Sequence, residues 1–385
     1  MKKISNIIFL GIILSLIVSV SLISLFGNQK NVSYYEQRSL AVLPTPSIKT
    51  LLNGDFFDAV ENYAADHIAG RDMIVKTDTA INLHLQRPTV NGLVTHADAL
   101  VPAHGFSRWN LDYITNDAVK SAEYYATLQN HIQSFGGYFC YVGVPQQSTY
   151  FADSYPSYMD NRLWHTETIR RTFSDAMNSE GVPFIDMHVQ YNQMGFPKNY
   201  YYETDHHFTL KGAFVAYQTL MQHLQNEGLL PNGYLDSEAF IWETLPNPFL
   251  GSANRKLYGL RETADTIEIA SPKEEIPFIR TNNGQPADGI YSLPVTAQET
   301  VTYSVYMGGD IGETIIQTNR PDLPDVLIFG DSFTNAIETL LWTNFNETRS
   351  LDFRYFTEKT LLEYIDDVQP DIVICIRDEM KYLEF

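Results

Sequence analysis

Three runs constrain the fold of this chain more than anything else in it: YFCYVGVP (138–145), VLIFGDSF (326–333) and DIVICIRDE (371–379). Each contains an unbroken apolar stretch, the pattern of a strand buried on both faces. Segments with helical spacing stand around them. AVKSAEYYATLQNHIQSFGG (118–137) ends in glycines just before the first run, and TETIRRTFSDAMNSEG (166–181) leads into a second strand, VPFIDMH (182–188). After the GDS run come a helix, TNAIETLLWTNF (334–345), a strand, SLDFRYF (350–356), and a helix, TEKTLLEYIDDV (357–368). Strand and helix in alternation predict a parallel sheet with helices on its faces. Residues 236–321 break the alternation: they are rich in Pro, Gly, Asn and Thr, with short alternating stretches such as DTIEIAS (265–271) and TVTYSVYMGG (300–309). They predict an insertion of small antiparallel strands and long loops.

The N-terminus reads differently. Met1, Lys2 and Lys3 precede an uncharged run from Ile4 to Phe26, long enough to cross a bilayer. A charged start and an apolar run also describe a cleavable leader, but no small-x-small site follows it, which favours an uncleaved anchor. Lysines on the N-terminal side place that end in the cytoplasm and everything after Gly27 outside. The expected organisation is an anchor over 1–27, a stalk and helical arm over 28–95, and a catalytic domain over 96–385 carrying the insertion. NVSYYEQRSLAVLPTPS (31–47) supplies the extended stalk, and a helix follows in LNGDFFDAVENYAADHIAGRD (52–72), with Gly70 as its stop.

Composition narrows the partners. With 26 Lys+Arg against 46 Asp+Glu the formal charge is −20. Such a surface repels phosphate backbones and anionic lipid, so nucleic acid is not expected as a partner. A hydrophobic share of 44% suffices for a sizeable core. The two cysteines, Cys140 and Cys375, lie inside apolar strands and read as buried free thiols.

Chemistry concentrates in two stretches. In VLIFGDSFTNA (326–336) a strand runs into Gly330 and a helix begins shortly after. Ser332 is thereby placed at a strand's carboxyl end beside a helix N-terminus, where open α/β sheets place their sites and where backbone N–H groups face a developing oxyanion. An ordinary helix cap would use the same residue types. In YYYETDHHFTLKGAFVAY (200–217), Thr209 caps a helix marked by Leu210, Ala213, Phe214 and Tyr217, so Asp205, His206 and His207 lie on the loop entering it. A serine nucleophile needs a base, and the base needs an orienting group. An Asp-x-His pair on one turn supplies both, although loop histidines are also common as plain solvated positions. The same trio offers metal ligands, yet no further ligand pair stands at metal-like spacing, and no metal or cofactor is expected.

Taken together, YYEQRSLAVLP (34–44), FFDAVENYAADHIAGRD, YVGVPQQSTYF (141–151), ETDHHFTLKGAFVAY (203–217), YMGGD (306–310), GDSFTN (330–335), LDFRYF (351–356) and QPDIVICIRDE (369–379) resemble the DHHW family, bacterial relatives of the alginate-acetylating SGNH-like acyltransferases. Phe208 stands where the family carries Trp. The resemblance implies an SGNH-hydrolase-like three-layer α/β domain with Ser332 as nucleophile, His207 as general base and Asp205 as its orienter. It leaves His206 as packing or a substrate contact. The Ser332 amide is expected in the oxyanion hole, with Gln146 or Asn254 as candidate second donor. Arg354 is a candidate partner for a substrate carboxylate, or is itself held by acids. The implied activity is extracytoplasmic O-acetylation of a cell-surface polysaccharide, with a membrane-bound O-acyltransferase as the partner that delivers the acetyl group. Hydrolysis by the same trio, as a carbohydrate esterase, and a non-catalytic glycan-binding or export scaffold remain open alternatives.

Overall fold

The computed structural model describes residues 2–26, 30–105, 111–230 and 232–384. Its contacts divide the chain into two units, one made of 1–91 with 254–262 and the other of 92–253 with 263–385.

The first unit holds three long helices: α1 (Lys2–Phe26), α2 (Asp55–His67) and α3 (Arg71–His84). Within α1, Asn6–Ser24 is the apolar stretch, and its 19 residues extend about 28 Å at 1.5 Å each, close to the thickness of a hydrocarbon core. The stretch expected to run as an extended stalk is instead tied down. Val32–Ser33 pairs with Arg38–Ser39 in a hairpin. Arg38 forks onto both Asp66 oxygens at 2.8 and 2.5 Å, while Arg71 forks onto Glu36 at 2.7 and 3.1 Å. Bidentate pairs of this kind fix geometry as well as charge, which is what a short hairpin lacks on its own. The expected helical arm is broken by left-handed glycines: Gly54 (φ 92°) precedes α2, and Gly70 (φ 79°) precedes α3.

The second unit is built on an eight-stranded sheet. Its strands in chain order are β1 (Tyr138–Val144), β2 (Phe184–Asp186), β3 (Ile279–Asn282), β4 (Gln285–Ala287), β5 (Glu313–Gln317), β6 (Val326–Gly330), β7 (Glu347–Leu351) and β8 (Ile372–Asp378). In space the order is β4–β3–β5–β7–β6–β8–β1–β2. The five strands from β7 to β2 are parallel, as the unbroken apolar runs require. The insertion does more than hang from this sheet: β3, β4 and β5 extend it with antiparallel pairings. A separate hairpin pairs Phe240–Thr244 with Glu268–Pro272.

Side-chain alternation along each central strand feeds two cores. Val326, Ile328, Cys140, Ile374 and Ile376 join one apolar cluster together with α6 (Leu210–Asn226) and α7 (Thr334–Leu341). Leu327, Phe329, Tyr141, Val373 and Cys375 join the other, with α4 (Asp112–Gln133), α5 (Leu163–Ser179) and α8 (Leu361–Val368). The result is three layers, helices over sheet over helices. Cys140 and Cys375 are buried free thiols in opposite cores.

Strand order also locates a crevice. From β6 the chain passes through α7 to β7 on one side of it, then through α8 to β8 on the other. Connections that diverge to the two faces and two sides open a cleft at the carboxyl end of the strand between them. Ser332 follows β6 by two residues.

Candidate active site

The turn after β6 is drawn tightly against β8. A Cβ on Gly330 would lie 1.8 Å from the Ile376 carbonyl oxygen, so only glycine allows the approach. Asp331 then clamps the turn: one carboxylate oxygen accepts the Phe333 N–H at 2.9 Å, the other the Asp378 N–H at 2.8 Å. Ser332 is thus held between two anchored neighbours at the start of α7, and its own N–H has no acceptor among the described residues. A free backbone N–H beside a nucleophile is the element an oxyanion hole requires.

The acid and the base arrive from the loop before α6. Thr209 caps that helix, its hydroxyl accepting the Gly212 N–H. Upstream, the Asp265 carboxylate accepts the backbone N–H of Glu203 and Thr204 and the Thr204 hydroxyl, pinning the loop. His207 Nδ1 lies 2.7 Å from Asp205 Oδ1, and His207 Nε2 lies 2.7 Å from Ser332 Oγ. The network assigns the tautomer: Nδ1–H donates to the carboxylate, leaving Nε2 to accept the serine proton. Asp205 and His207 are only 2% and 4% exposed, so this relay operates in a low dielectric.

The Asp205 carboxylate is also anchored by the Ser252 N–H, 2.6 Å from Oδ2. Gly251 makes this possible, since a Cβ there would stand 2.2 Å from the Thr204 carbonyl oxygen. Burial alone would push the Asp205 carboxyl up. The hydrogen bond from His207, the nearby imidazoles and the Ser252 N–H outweigh burial and hold it well below the usual carboxylate range. It therefore stays ionised and can stabilise an imidazolium at His207.

Aromatic rings fix the imidazole in place. Tyr303 stacks on His207 with centroids 3.8 Å apart and planes 5° apart, and Phe333 meets it edge-on at 5.0 Å. The Phe208 ring is fully buried against Phe333, so the aromatic at this position serves packing. His206 is half exposed, its Nδ1 2.7 Å from Ser252 Oγ and its ring 3.7 Å from that of His207.

The remaining candidates are engaged by other partners. The Gln146 side chain donates to Asp378 at 3.0 Å and its N–H reaches Glu379 at 3.2 Å. Asn254 belongs to the first unit, where its side chain is closed onto the Arg261 N–H and carbonyl. Neither amide points to a role at Ser332. Arg354 follows β7 at the same sheet edge as Ser332, but both Asp352 oxygens and Asp310 take its guanidinium. Its Nε and Nη2 are held by acids of the chain, so the bidentate face that a substrate carboxylate would use is taken by Asp352. Asp205, His206 and His207 bring ligand atoms within 4.8 Å of one another. Those atoms are engaged with each other, Ser252 and Ser332, and a metal would have to displace the serine hydrogen bond.

Below the turn lies a set of buried acids. Burial, and then the neighbouring Asp331 charge, push Asp378 up, and burial pushes Asp331 the same way. Glu379, which accepts from Thr149 and from the Gln146 N–H, is pushed up to about 7, chiefly by burial.

Comparison with known proteins agrees with this architecture. Residues 106–293 match the family described as SGNH hydrolase-like domain, acetyltransferase AlgX. The matched span contains Asp205 and His207 and stops short of Ser332. No curated protein matches the chain. Among solved structures, Bacillus cereus PatB1 is similar over 75% of this chain and 96% of its own, at 22% identity and a TM-score of 0.65. PatB1 with a sulfonyl adduct gives 20% identity and 0.63 over 75% and 95%. A DHHW family protein from Eubacterium siraeum gives 18% and 0.55 over 77% and 94%. These likenesses show the fold, and the family match points to an acetyl-modifying enzyme. The chain has the fold of an SGNH hydrolase-like domain, its residues 106–293 are similar to the AlgX acetyltransferase model, and a DHHW family protein is among its structural neighbours.

Proposed function

We propose that the protein is a membrane-anchored, extracytoplasmic O-acetyltransferase that moves an acetyl group through Ser332 to a hydroxyl of an exported or cell-surface polysaccharide. The observation that carries this reading is the continuous relay Asp205–His207–Ser332, with both links at 2.7 Å. His207 Nε2 takes the serine proton as Oγ attacks the acetyl carbonyl, and Asp205 stabilises the resulting imidazolium. The tetrahedral oxyanion faces the Ser332 N–H. Collapse breaks the bond to the donor's leaving group, which departs with the proton from His207 and leaves acetyl-Ser332. A sugar hydroxyl then attacks and gives its proton to His207, and the second collapse releases the sugar acetate as His207 returns that proton to Ser332 Oγ. The sum is donor–acetyl plus sugar hydroxyl giving protonated donor plus sugar acetate. A membrane-bound O-acyltransferase fits the role of donor, since the acetyl group has to cross the bilayer to reach a site beyond the anchor.

The structure of PatB1 with a sulfonyl adduct suggests the probe. A sulfonyl fluoride is expected to bond to Ser332 and to stop turnover of a small acetyl ester, and Ser332→Ala is expected to abolish both. Full ester turnover by Ser332→Ala defeats the proposal. Acetyl incorporation into an oligosaccharide, set against free acetate release, separates transfer from hydrolysis.

A further inference from the structure

Contacts lead outward from the nucleophile and return to it. Ser332 bonds His207, and His207 stacks on Tyr303. Tyr303 lies between Thr302 and Ser304, whose hydroxyls are 2.7 Å apart. Ser304 abuts the next loop so closely that a Cβ on Gly309 would stand 3.1 Å from its own Cβ. Asp310 follows, accepting the Asn335 side-chain amide at 3.2 Å. Asn335 lies one helical turn after Ser332 on α7. From Asp310 the shelf continues to Arg354, 3.2 Å away, and through it to Asp352.

Ser304 is exposed, the Asp310 side chain is 29% exposed and that of Arg354 about half. Hydroxyls that both donate and accept, a carboxylate and a guanidinium match the alternating donors and acceptors of a sugar ring. The charge balance is more selective. Arg354 already carries Asp352 on both oxygens and Asp310 beside it, so one cation faces two carboxylates. Arg280, buried under the loop, spends its donors on the carbonyls of Met307, Gly289 and Ile290. Of the Arg354 nitrogens only Nη1 has no hydrogen bond among the described residues, so the shelf holds two carboxylates to one guanidinium and is net negative, within a chain of formal charge −20.

We propose that the shelf of Thr302, Ser304, Asp310 and Arg354 receives the polysaccharide acceptor and selects neutral or amino sugars over polyuronates. This rests on the acyl-serine reading above and names its substrate class. A polyuronate brings one carboxylate per residue toward a surface of the same sign, and like-charge juxtaposition is the cheapest way to reject a partner.

The test uses the full-length protein in detergent and three O-acetylated tetramers: cellotetraose, glucosamine tetramer and tetragalacturonate. Loss of acetyl from a glycan to Ser332 is the reverse of transfer to it, so these esters report acceptor fit for a transferase and an esterase alike. The neutral and amino esters are expected to exceed the uronate ester in kcat/KM by roughly tenfold or more at low salt, a margin that narrows as salt rises. Asp310→Lys is expected to shrink or invert the ratio and Asp310→Asn to shrink it. Each ratio is taken on one preparation, so a partly unfolded variant does not distort it. A uronate ester used as well as the neutral one by the wild type overturns the charge selection while leaving acyl-serine chemistry standing. Unchanged ratios in both Asp310 variants overturn the shelf. Turnover of a small acetyl ester with no turnover of any tetramer removes the glycan reading itself, and this inference with it.

Discussion

At the scale of single residues, the relay depends on an acid that stays charged when buried. Asp205 manages this by spending its lone pairs on His207 and on the Ser252 N–H. Asp205→Asn keeps the shape but removes the charge and can present its amide to Nδ1, which turns the imidazole into the wrong tautomer. We expect kcat to fall by roughly two to four orders of magnitude with KM little changed, measured on a small acetyl ester. Loss of binding with kcat preserved would contradict this. The sequence made the residue types of the relay legible, because Asp-x-His on a loop and Gly-Asp-Ser after a strand each fit one role. Their meeting followed only from the family resemblance and not from any local pattern, since 125 positions separate His207 from Ser332. Ser252, Tyr303 and Phe333 escaped notice because each acts through a backbone N–H or a ring face, which any residue or many aromatics supply. Gly251 was the one available signal, a glycine beside Ser252 in GSANR.

At the scale of elements, two close backbone approaches hold the site together. Gly251→Ala would force the 250–253 segment off the Asp205 loop, and we expect about 2–4 kcal/mol of lost stability in urea unfolding. Activity per folded molecule should fall as well, since the Ser252 N–H leaves Asp205. The end of β8 carries a second prediction. Glu379 holds its proton to about pH 7 when folded, against an unfolded value of 4.5. Between these values the native state binds a proton that the unfolded chain has released, so this group's contribution to stability declines as pH rises through the window. His165, which is buried, and the partly buried His104, His188 and His223 are lowered by desolvation and act in the opposite sense there. The readout is therefore the difference: Glu379→Gln should gain Tm relative to the wild type as pH goes from about 5 to 8. A constant difference across that range would exclude the titration. The helices and the strands β1, β6 and β8 were legible because periodicity and apolar runs are local, whereas β7 lies at Glu347–Leu351, ahead of the strand expected over 350–356, because ETRSL carries no apolar run. The joining of β3, β4 and β5 to the main sheet was not, because strand pairing across the insertion is set by edges that no local pattern announces.

At the scale of the whole molecule, the proposed function needs the apolar helix α1 in a bilayer and the chemistry in the sheet unit. Fractionation tests the first part: the full chain should stay with membranes through alkaline carbonate washing, and a chain lacking residues 2–26 should be released. Retention of the shortened chain would mean that something other than α1 holds it there. The three-layer class followed from alternation of strand and helix, and the tied-down hairpin at 32–39 did not, because its bidentate Arg38–Asp66 and Arg71–Glu36 pairs link distant positions. The central claim is that Ser332 carries the acetyl group. The direct measurement is peptide mass spectrometry of the full-length protein after acid quenching in the presence of a small acetyl ester. The account predicts one acetyl group on the Ser332 peptide of the wild type and none in His207→Ala. Acetyl found on another side chain, or steady turnover in Ser332→Ala, would contradict it.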